Sequence, residues 1–422
     1  MSDDFQTISV IGLGYIGLPT AAMFASRRRK VIGVDVNQRT VDIINRGQIH
    51  IIEPELDMVV QSVVSGGYLR ATTRPEPADA FLIAVPTPFK GNHVPDLAFV
   101  QAAALSIAPV LKKGDLVILE STSPVGTTEE MVRWFVQARP DLSFPVPGAR
   151  TVDVNVAYCP ERVLPGRVVH ELVENDRIIG GMTARCSERA GELYGIFVAG
   201  QRLVTDARTA EMCKLTENSF RDVNIAFANE VSQICDRLHI NPWELVRLAN
   251  HHPRVNILQP GAGVGGHCIA VDPWFIVDKT PDLARLIRTA REVNNGKPSW
   301  ILERIGTAIH EALKSGRRAD EAALRIAVLG LAFKPNIDDL RESPAMSIAE
   351  RLLNQTPAKV DFVEPNIETL PRSLADGRLV ELDVALDRAD LVVILVAHRQ
   401  FQDLGARLRT GVTAIDAVGV LG

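Results

Sequence analysis

A cysteine in a glycine-rich loop is the side chain best suited to covalent chemistry in this 422-residue sequence. Cys268 closes the run Gly-Ala-Gly-Val-Gly-Gly-His-Cys, and Asp272 follows four positions later. Glycines leave the backbone open to a ligand, and a cysteine thiolate is a strong nucleophile. Cys268 is therefore predicted to attack an electrophilic substrate carbon, although the sequence also permits a buried, inert thiol.

A long apolar helix, predicted over residues 209–237, carries a second set of polar groups. Lys214 and Asn218 are four positions apart and share one face, and Arg221 lies near the same stripe. Because the helix is strongly apolar, some of these groups should be buried and should need partners. An ammonium and an amide on one face are suited to stabilising a negatively charged oxygen. A solvated helix face is the alternative.

A carboxylate and a guanidinium stand side by side in Pro160-Glu161-Arg162, at the end of another predicted strand. Arg162 could pair with a substrate diphosphate, because guanidinium groups bind phosphate oxygens strongly. Glu161 could transfer a proton or position a water molecule. An ion pair with no role in chemistry is the alternative for both residues.

The segment Gly12-Leu-Gly-Tyr-Ile-Gly17 follows an apolar run and opens a helical pattern, which is typical of a dinucleotide-binding turn. Asp35 ends the next predicted strand, where its carboxylate can accept hydrogen bonds from ribose hydroxyls and would repel a 2′-phosphate. The sequence therefore predicts NAD as the cofactor. The predicted contacts at the turn and the strand ends are Gly12, Gly14, Tyr15, Ile16, Gly17, Asp35, Thr87, Thr122 and Thr128.

Alternating strand and helix signals must position these groups, and they predict an α/β fold with parallel sheets. Strands are predicted at residues 8–11, 31–34, 80–85, 116–119, 325–329 and 391–396. We expect two doubly wound, Rossmann-like domains joined by a long central helix and a helical region. The predicted boundaries are 1–205 for the NAD-binding domain, 206–317 for the central region and 318–422 for the last domain.

Composition excludes several classes of protein. The formal net charge of −5 gives no general attraction to nucleic acid or anionic membranes. No apolar stretch is long enough to span a membrane, and the acidic N-terminus does not resemble a signal peptide. Five scattered cysteines suggest neither a disulfide framework nor a metal site. We expect a cytoplasmic protein without a metal ion.

Six motifs in order resemble the UDP-glucose/GDP-mannose dehydrogenase family over essentially the whole chain. They are the glycine turn at Gly12, Glu120-Ser-Thr-Ser-Pro-Val-Gly, Pro160-Glu-Arg, Glu211-x-x-Lys-Leu-x-Glu-Asn, Gly265-Gly-His-Cys and Gly330-Leu-Ala-Phe-Lys-Pro-Asn. The segment that begins at His252 and includes the cysteine resembles the branch that oxidises UDP-N-acetyl-D-mannosamine. That branch serves enterobacterial common antigen or related surface polysaccharides.

The resemblance implies a four-electron oxidation of the C6 alcohol to the acid with two NAD, through a thiohemiacetal and a thioester on Cys268. It implies that Lys214 and Asn218 stabilise oxyanion charge, and that Arg341 reaches the cofactor region. Glu161 or Asp272 would position the hydrolytic water, and a homodimer would form through the central helix. The implied substrate contacts are Arg162, Val163, Lys214, Asn218, Arg221, His252, Arg254, Gly265, Phe333 and Lys334. Because Gly330-Leu-Ala lacks the full glycine pattern, the last domain should hold the UDP end rather than a second NAD.

Two other classes of function remain as alternatives. A two-electron dehydrogenase of the 6-phosphogluconate or hydroxyacid kind would share the nicotinamide domain but would not need Cys268. A redox sensor that binds NAD and a partner would leave Lys214, Asn218 and Cys268 without a role. Within the family, UDP-N-acetylglucosamine, UDP-glucose and GDP-mannose are the competing substrates.

Overall fold

The computed structural model describes residues 5–51, 53–149, 151–163, 166–266, 268–316 and 318–422. These described residues form two compact units, one within 1–217 and 274–280 and the other within 218–273 and 281–422. The division into three segments that end at residues 205, 317 and 422 stays a prediction. Arg317, where the second boundary falls, lies outside the described residues.

Strands and helices alternate along the chain. The strands are β1 (Thr7–Ile11), β2 (Lys30–Val34), β3 (Leu69–Thr72), β4 (Ala80–Ile83), β5 (Phe89–Lys90), β6 (Val94–Pro95), β7 (Leu116–Leu119), β8 (Asn155–Tyr158), β9 (Arg177–Gly181), β10 (Arg202–Asp206), β11 (Arg325–Leu329), β12 (Lys359–Val363), β13 (Arg378–Leu379), β14 (Leu391–Ile394) and β15 (Thr413–Asp416). The helices are α1 (Gly17–Ser26), α2 (Gln38–Asn45), α3 (Leu56–Ser65), α4 (Ala98–Ile107), α5 (Thr127–Ala138), α6 (Val168–Glu174), α7 (Ala184–Tyr194), α8 (Ala207–Leu238), α9 (Pro242–Ala249), α10 (Asp272–Lys279), α11 (Arg285–Lys314), α12 (Pro344–Gln355), α13 (Leu382–Arg388) and α14 (Leu404–Arg407).

The first unit is built on one sheet with the strand order β10-β9-β8-β7-β4-β1-β2-β3. The central strands β4 and β7 are apolar and buried along their whole length, as expected for strands covered on both faces. Leu82 and Ile118 belong to the core on one face, and Phe81 and Leu119 belong to the core on the other. The strand order reverses between β1 and β4, where open α/β sheets bind ligands at the carboxyl ends of their strands.

Within this eight-stranded sheet, one strand pair departs from the predicted parallel arrangement. β8 and β9 are antiparallel, with Tyr158 opposite Gly180 and Ala157 opposite Gly181. Continued beyond β8, the same register places Glu161 opposite Arg177, the first residue of β9. The antiparallel pairing therefore brings the guanidinium of Arg177 to the carboxyl end of β8. If β9 ran parallel to β8, its last residue would lie there instead of its first.

The second unit contains a five-stranded parallel sheet with the order β13-β12-β11-β14-β15. Val328 and Val393 face one core, and Ala327 and Val392 face the other. β14 ends at Ile394, two residues before the predicted end, because the N–H groups of Leu395 and Val396 both donate to the carbonyl oxygen of Leu329. The regular hydrogen-bond ladder between β11 and β14 therefore ends at the carbonyl oxygen of Leu329.

The predicted α/β class is confirmed, with helices on both faces of two sheets and a long central helix, α8. The first helix, Gly17–Ser26, begins at the last glycine of the predicted turn. Within the described parts of the chain, no helix combines the length and the apolar character that a membrane crossing requires.

Candidate active site

The turn between β1 and α1 has the form of a dinucleotide-binding turn. Gly12 has a φ of +92°, and a Cβ there would lie 2.6 Å from the carbonyl oxygen of Ala84. A Cβ on Gly17 would collide with the carbonyl oxygen of Gly12. A Cβ on Gly14 would point into open space, with no described atom within 4 Å. A pyrophosphate can approach the backbone from this open side, at the N-terminal end of α1.

Asp35 follows β2 and lies beside this turn. Its carboxylate accepts hydrogen bonds from the backbone N–H of Leu13 at 3.1 Å and of Asn37 at 2.9 Å. Tyr15 is exposed, and Ile16 and Asp35 are half-buried. The open cradle at the turn and a carboxylate held at its edge fit a dinucleotide, with the carboxylate in place to meet ribose hydroxyls.

The hydroxyl groups predicted at later strand ends differ in their surroundings. Thr87, beyond β4, donates to the carbonyl oxygen of Thr122, beyond β7, at 2.7 Å, so these two half-buried residues join the strand-end loops. Thr128 is buried and donates its hydroxyl to Glu211 at 2.7 Å. Glu211 also accepts the backbone N–H groups of Thr128 and Gly126. Burial raises the pKa of Glu211, and these donors oppose the shift.

Glu161, beyond β8, contacts polar groups from two other elements, β9 and α8. Its carboxylate is 2.7 Å from Nη1 of Arg177, and its carbonyl oxygen accepts a hydrogen bond from Nζ of Lys214 at 2.6 Å. Arg162 pairs with Glu217 of α8, with 2.9 Å between Nη2 and Oε1. Glu161 and Arg162 thus each form an ion pair, but with Arg177 and Glu217 rather than with one another. Lys214, which comes from the long helix, is brought to the Glu161 loop as a half-buried ammonium.

Cys268 is the exposed cysteine of the chain, whereas the other four are buried or partly buried. His267, which precedes it in the loop motif, lies outside the described residues. The carbonyl oxygen of Cys268 accepts the N–H of Asp272 at 2.8 Å, which shapes the turn into α10. The carboxylate of Asp272 is buried and accepts a hydrogen bond from Nδ2 of Asn218 at 2.5 Å.

The glycines before Cys268 pack closely within the second unit. A Cβ on Gly265 would collide with the carbonyl oxygen of Glu342, and one on Gly266 would lie 3.1 Å from the ring of Phe333. Lys334 holds its Nζ 5.9 Å from the centre of that ring. Residues without side chains are therefore needed where the cysteine loop meets the loop beyond β11.

The remaining predicted contacts lie on exposed or half-buried surface. Val163 is half-buried, and four residues are exposed: Arg221, His252, Arg254 and Arg341. The N–H of Arg254 donates to Nδ1 of His252 at 3.3 Å. The guanidinium of Arg341 donates to the carboxylate of Asp339 at 2.7 and 2.9 Å. The roles of these residues stay predictions.

The structure groups the predicted residues in two sets. In the first unit it brings Lys214 to Glu161, next to Arg162. In the second it brings Asn218 to Asp272, and Gly265 and Phe333 to one loop junction.

Sequence reasoning missed two residues that shape the site. Glu211 organises the Thr128 loop, and Arg177 holds Glu161. Glu211 stood within a family motif, but no sequence pattern marked Arg177.

Models of three family domains match the chain in order. They are described as the NAD-binding, central and UDP-binding domains of the UDP-glucose/GDP-mannose dehydrogenase family, and they match residues 6–198, 208–296 and 327–421. The N-terminal sheet therefore corresponds to the NAD-binding domain of that family, and the C-terminal sheet corresponds to its UDP-binding domain.

Full-length relatives agree with these matches. A UDP-N-acetyl-D-mannosamine dehydrogenase from Yersinia pestis is 65% identical over 94% of this chain and 95% of its own length. An NDP-N-acetyl-D-galactosaminuronic acid dehydrogenase from Ralstonia nicotianae is 62% identical over 99% of this chain and 96% of its own. A solved UDP-D-ManNAc dehydrogenase from Pyrococcus horikoshii is 40% identical, with a TM-score of 0.86 over 99% of this chain and 96% of its own. The chain belongs to the UDP-glucose/GDP-mannose dehydrogenase family and is an NAD-dependent nucleotide-sugar dehydrogenase.

Proposed function

We propose that this chain oxidises the C6 alcohol of UDP-N-acetyl-D-mannosamine to the carboxylate. The observation that carries the proposal is the exposure of Cys268 in a loop of glycines, while the other cysteines are buried or partly buried. A two-electron dehydrogenase needs no such nucleophile, whereas oxidation to the acid can use one to retain the aldehyde. The two relatives at 65% and 62% identity both act on N-acetylated sugars by name, which favours this class of substrate.

The cofactor role is assigned to the turn and strand ends of the first unit. Bound NAD supplies a hydride acceptor, and two are needed for each alcohol that becomes an acid. The open side of Gly14 would receive the pyrophosphate, and Asp35 would accept hydrogen bonds from the ribose. Thr87 and Thr122 line the neighbouring strand ends. Thr128 is assigned a supporting role, because its hydroxyl is donated to Glu211.

Cys268 is assigned the covalent steps. Its thiolate adds to the C6 aldehyde, so that a C–S bond forms and the carbonyl oxygen becomes an alkoxide, which is protonated to give a thiohemiacetal. Loss of hydride from the same carbon, together with the proton of its hydroxyl group, leaves a thioester. Water then adds to the thioester, the C–S bond breaks, and the thiolate returns as the carboxylate leaves. A base accepts one proton from that water as it adds, and the second proton is released when the carboxylic acid ionises.

The polar groups on α8 are assigned to the negative charge that develops on oxygen. Lys214 offers an ammonium, and Asn218, four residues along the same helix, offers an amide N–H. Glu161 and Asp272 are the candidates for the base that takes the proton from water. Both are buried and hydrogen-bonded, so each has a defined orientation.

Recognition of the UDP-sugar is assigned to two groups of residues. Arg162, Val163 and Lys214 belong to the first unit. The others are assigned to the second unit: Asn218, Arg221, His252, Arg254, Gly265, Phe333 and Lys334. Arg341 is assigned to the cofactor region. The exposed arginines among them are suited to binding a diphosphate.

A homodimer through α8 completes the proposal. The part of α8 that belongs to the second unit, residues 218–238, exposes four large apolar side chains. Their near-heptad spacing places them on one side of the helix: Phe220, Phe227, Ile234 and Leu238. A second copy would cover this stripe. A chemistry that needs a reduced Cys268 suits the cytoplasm, and the product would serve enterobacterial common antigen or a related surface polysaccharide.

The test is NADH formation by the purified chain with a panel of nucleotide sugars. The panel holds UDP-N-acetyl-D-mannosamine, UDP-N-acetylgalactosamine, UDP-N-acetylglucosamine, UDP-glucose and GDP-mannose, each with NAD and with NADP. We expect the mannosamine sugar to give the largest kcat/KM, NAD to be preferred, and two NADH to form per sugar. One NADH per sugar would support a two-electron enzyme instead, and a larger kcat/KM with the galactosamine sugar would reassign the substrate.

A further inference from the structure

A buried charged cluster contains Glu161 and three residues that have no assigned role in the reaction. It consists of Glu120, Glu161, Arg177 and Tyr194, and is called here the buried carboxylate cluster. Glu120 is 2% exposed, Arg177 3% and Glu161 7%, and Tyr194 is fully buried. Charged side chains so deeply buried are expensive to desolvate, so their arrangement needs an explanation.

One guanidinium serves two carboxylates in this cluster. Nη1 of Arg177 is 2.7 Å from Oε2 of Glu161 and 4.0 Å from Oε1 of Glu120. The hydroxyl of Tyr194 donates to Oε1 of Glu120 at 2.6 Å, and the guanidinium lies 4.6 Å above the centre of the Tyr194 ring. Among the described residues, nothing hydrogen-bonds with Oε2 of Glu120. Arg177 is therefore closely paired with Glu161 and loosely shared with Glu120.

Within the described part of the chain, the neighbouring elements add no further charge to Glu120. It follows β7, between Cys159 beyond β8, Arg177 on β9 and Tyr194 at the end of α7. Burial raises the pKa of the Cys159 thiol and that of the Tyr194 phenol, so both are neutral at physiological pH. Glu161 and Arg177 are thus the charged groups that act on Glu120. Burial raises the pKa of Glu120 to about 7, which Arg177 opposes and Glu161 reinforces.

We propose that Glu120 is a positioning residue whose charge decides how firmly Arg177 holds the carboxylate of Glu161, and thereby how readily Glu161 takes a proton from water when the thioester is hydrolysed. The inference rests on the proposed function, in which Glu161 is a candidate base for water. It concerns Glu161 alone, because Asp272 is held by Asn218 and lies outside the buried carboxylate cluster.

The coupling follows from simple electrostatics. With Glu120 ionised, Arg177 is shared between two negative charges and holds Glu161 less firmly, so Glu161 takes a proton from water more readily. With Glu120 protonated, Arg177 holds the carboxylate of Glu161 alone, and Glu161 takes the proton less readily. The same residue holds Lys214 through its carbonyl oxygen, so the cluster supports two of the proposed reacting groups.

The experiment measures acid release from the nucleotide sugar in single turnover, as a function of pH, for the holoenzyme and three variants. The parent rate should rise by about threefold to tenfold as Glu120 ionises, through a transition near pH 7. Glu120→Gln mimics the protonated state, so its rate should stay at the parent's low-pH value across the transition. Tyr194→Phe removes a donor to the Glu120 carboxylate, so the transition should move to higher pH. Glu188→Gln, an exposed residue of α7, should match the parent.

The outcomes separate this inference from the proposed function. A transition that Glu120→Gln leaves in place overturns the role of Glu120, and so does an equal loss of rate at every pH, which is what a purely structural role predicts. If Glu120→Gln does not fold, Tyr194→Phe decides, because an unmoved transition in that variant also overturns the inference. A parent chain that forms no NADH with any nucleotide sugar overturns the proposed function itself.

Discussion

Nζ of Lys214 donates a hydrogen bond to the backbone carbonyl oxygen of Glu161, across 2.6 Å. The acceptor is a neutral peptide oxygen, so the ammonium is oriented without being neutralised by a carboxylate at that contact. A cation held in this way is preorganised for an anion that forms during a reaction. This arrangement makes Lys214 the most direct target for a test of oxyanion stabilisation.

Replacement of Lys214 by alanine should lower kcat on the order of 10²–10³-fold, because a preorganised donor contributes mainly in the transition state. KM for the nucleotide sugar should change much less, and NAD affinity should not change. The measurement is steady-state NADH formation, with Lys279→Ala as a control at an exposed position of α10. A loss of less than tenfold would remove Lys214 from the proposed role.

Replacement of Cys268 by serine should stop the enzyme before acid is released. A hydroxyl is a poor nucleophile at neutral pH and does not form the thioester, so the second oxidation should fail. Mass spectrometry of quenched reactions should detect little or no uronate. The control is Cys213→Ser, at a partly buried position of α8, which should produce uronate at close to the parent rate. Release of acid by Cys268→Ser at the parent rate would exclude covalent catalysis.

Most of the fold could be predicted because it depends on local patterns. Apolar runs and a glycine turn define β1, α1 and β2, and the absence of glycine and proline over 32 residues defines α8. Asp35 and Gly12 were found because the turn and the strand end that hold them are adjacent in sequence. Cys268 was found because glycines surround it.

The partners of the site residues could not be predicted in the same way. Arg177 meets Glu161 only because β8 and β9 are antiparallel, and no local pattern encodes that direction. Glu211 reaches Thr128 from 83 residues further along the chain, through the packing of α8 against the sheet. Each polar contact depends on a register or a helix orientation that only the folded chain fixes.

A buried lysine in the second unit should make thermal stability depend on pH. Lys297 is 2% exposed, donates to the hydroxyl of Ser232, and lies with Nζ 4.0 Å from the centre of the Trp300 ring. Burial lowers the pKa of Lys297 to about 7 from 10.5, and the charge of Asp236 only partly opposes this shift. Between these two values the unfolded chain binds more protons than the folded chain. The contribution of Lys297 to stability therefore increases as pH rises through this window and is lost as pH falls towards 7.

Replacement of Lys297 by methionine should remove this dependence. At neutral pH the free energy of unfolding of the variant should exceed that of the parent by on the order of a few kcal/mol, because folding no longer buries the charged ammonium of Lys297. Its Tm should also rise less between neutral and mildly alkaline pH than the parent Tm does. Differential scanning calorimetry measures both effects, with Lys314→Met at the exposed end of α11 as the control. A parallel Tm increase in parent and variant would contradict the assignment.

The apolar stripe on α8 should control the oligomeric state. Phe220 is 69% exposed and Phe227 53% in the single chain, and burial of two such rings on each copy is a strong driving force for association. Phe227→Asp should convert a species of twice the 46.1 kDa chain mass into one of the chain mass, because an unpaired carboxylate would have to be buried in the interface. Analytical ultracentrifugation measures the mass, and far-UV circular dichroism should show unchanged helix content. Met58→Asp places the same charge at a residue of α3 that is 62% exposed and should leave the mass doubled. A Phe227→Asp variant that keeps the doubled mass would show that a different surface joins the two copies.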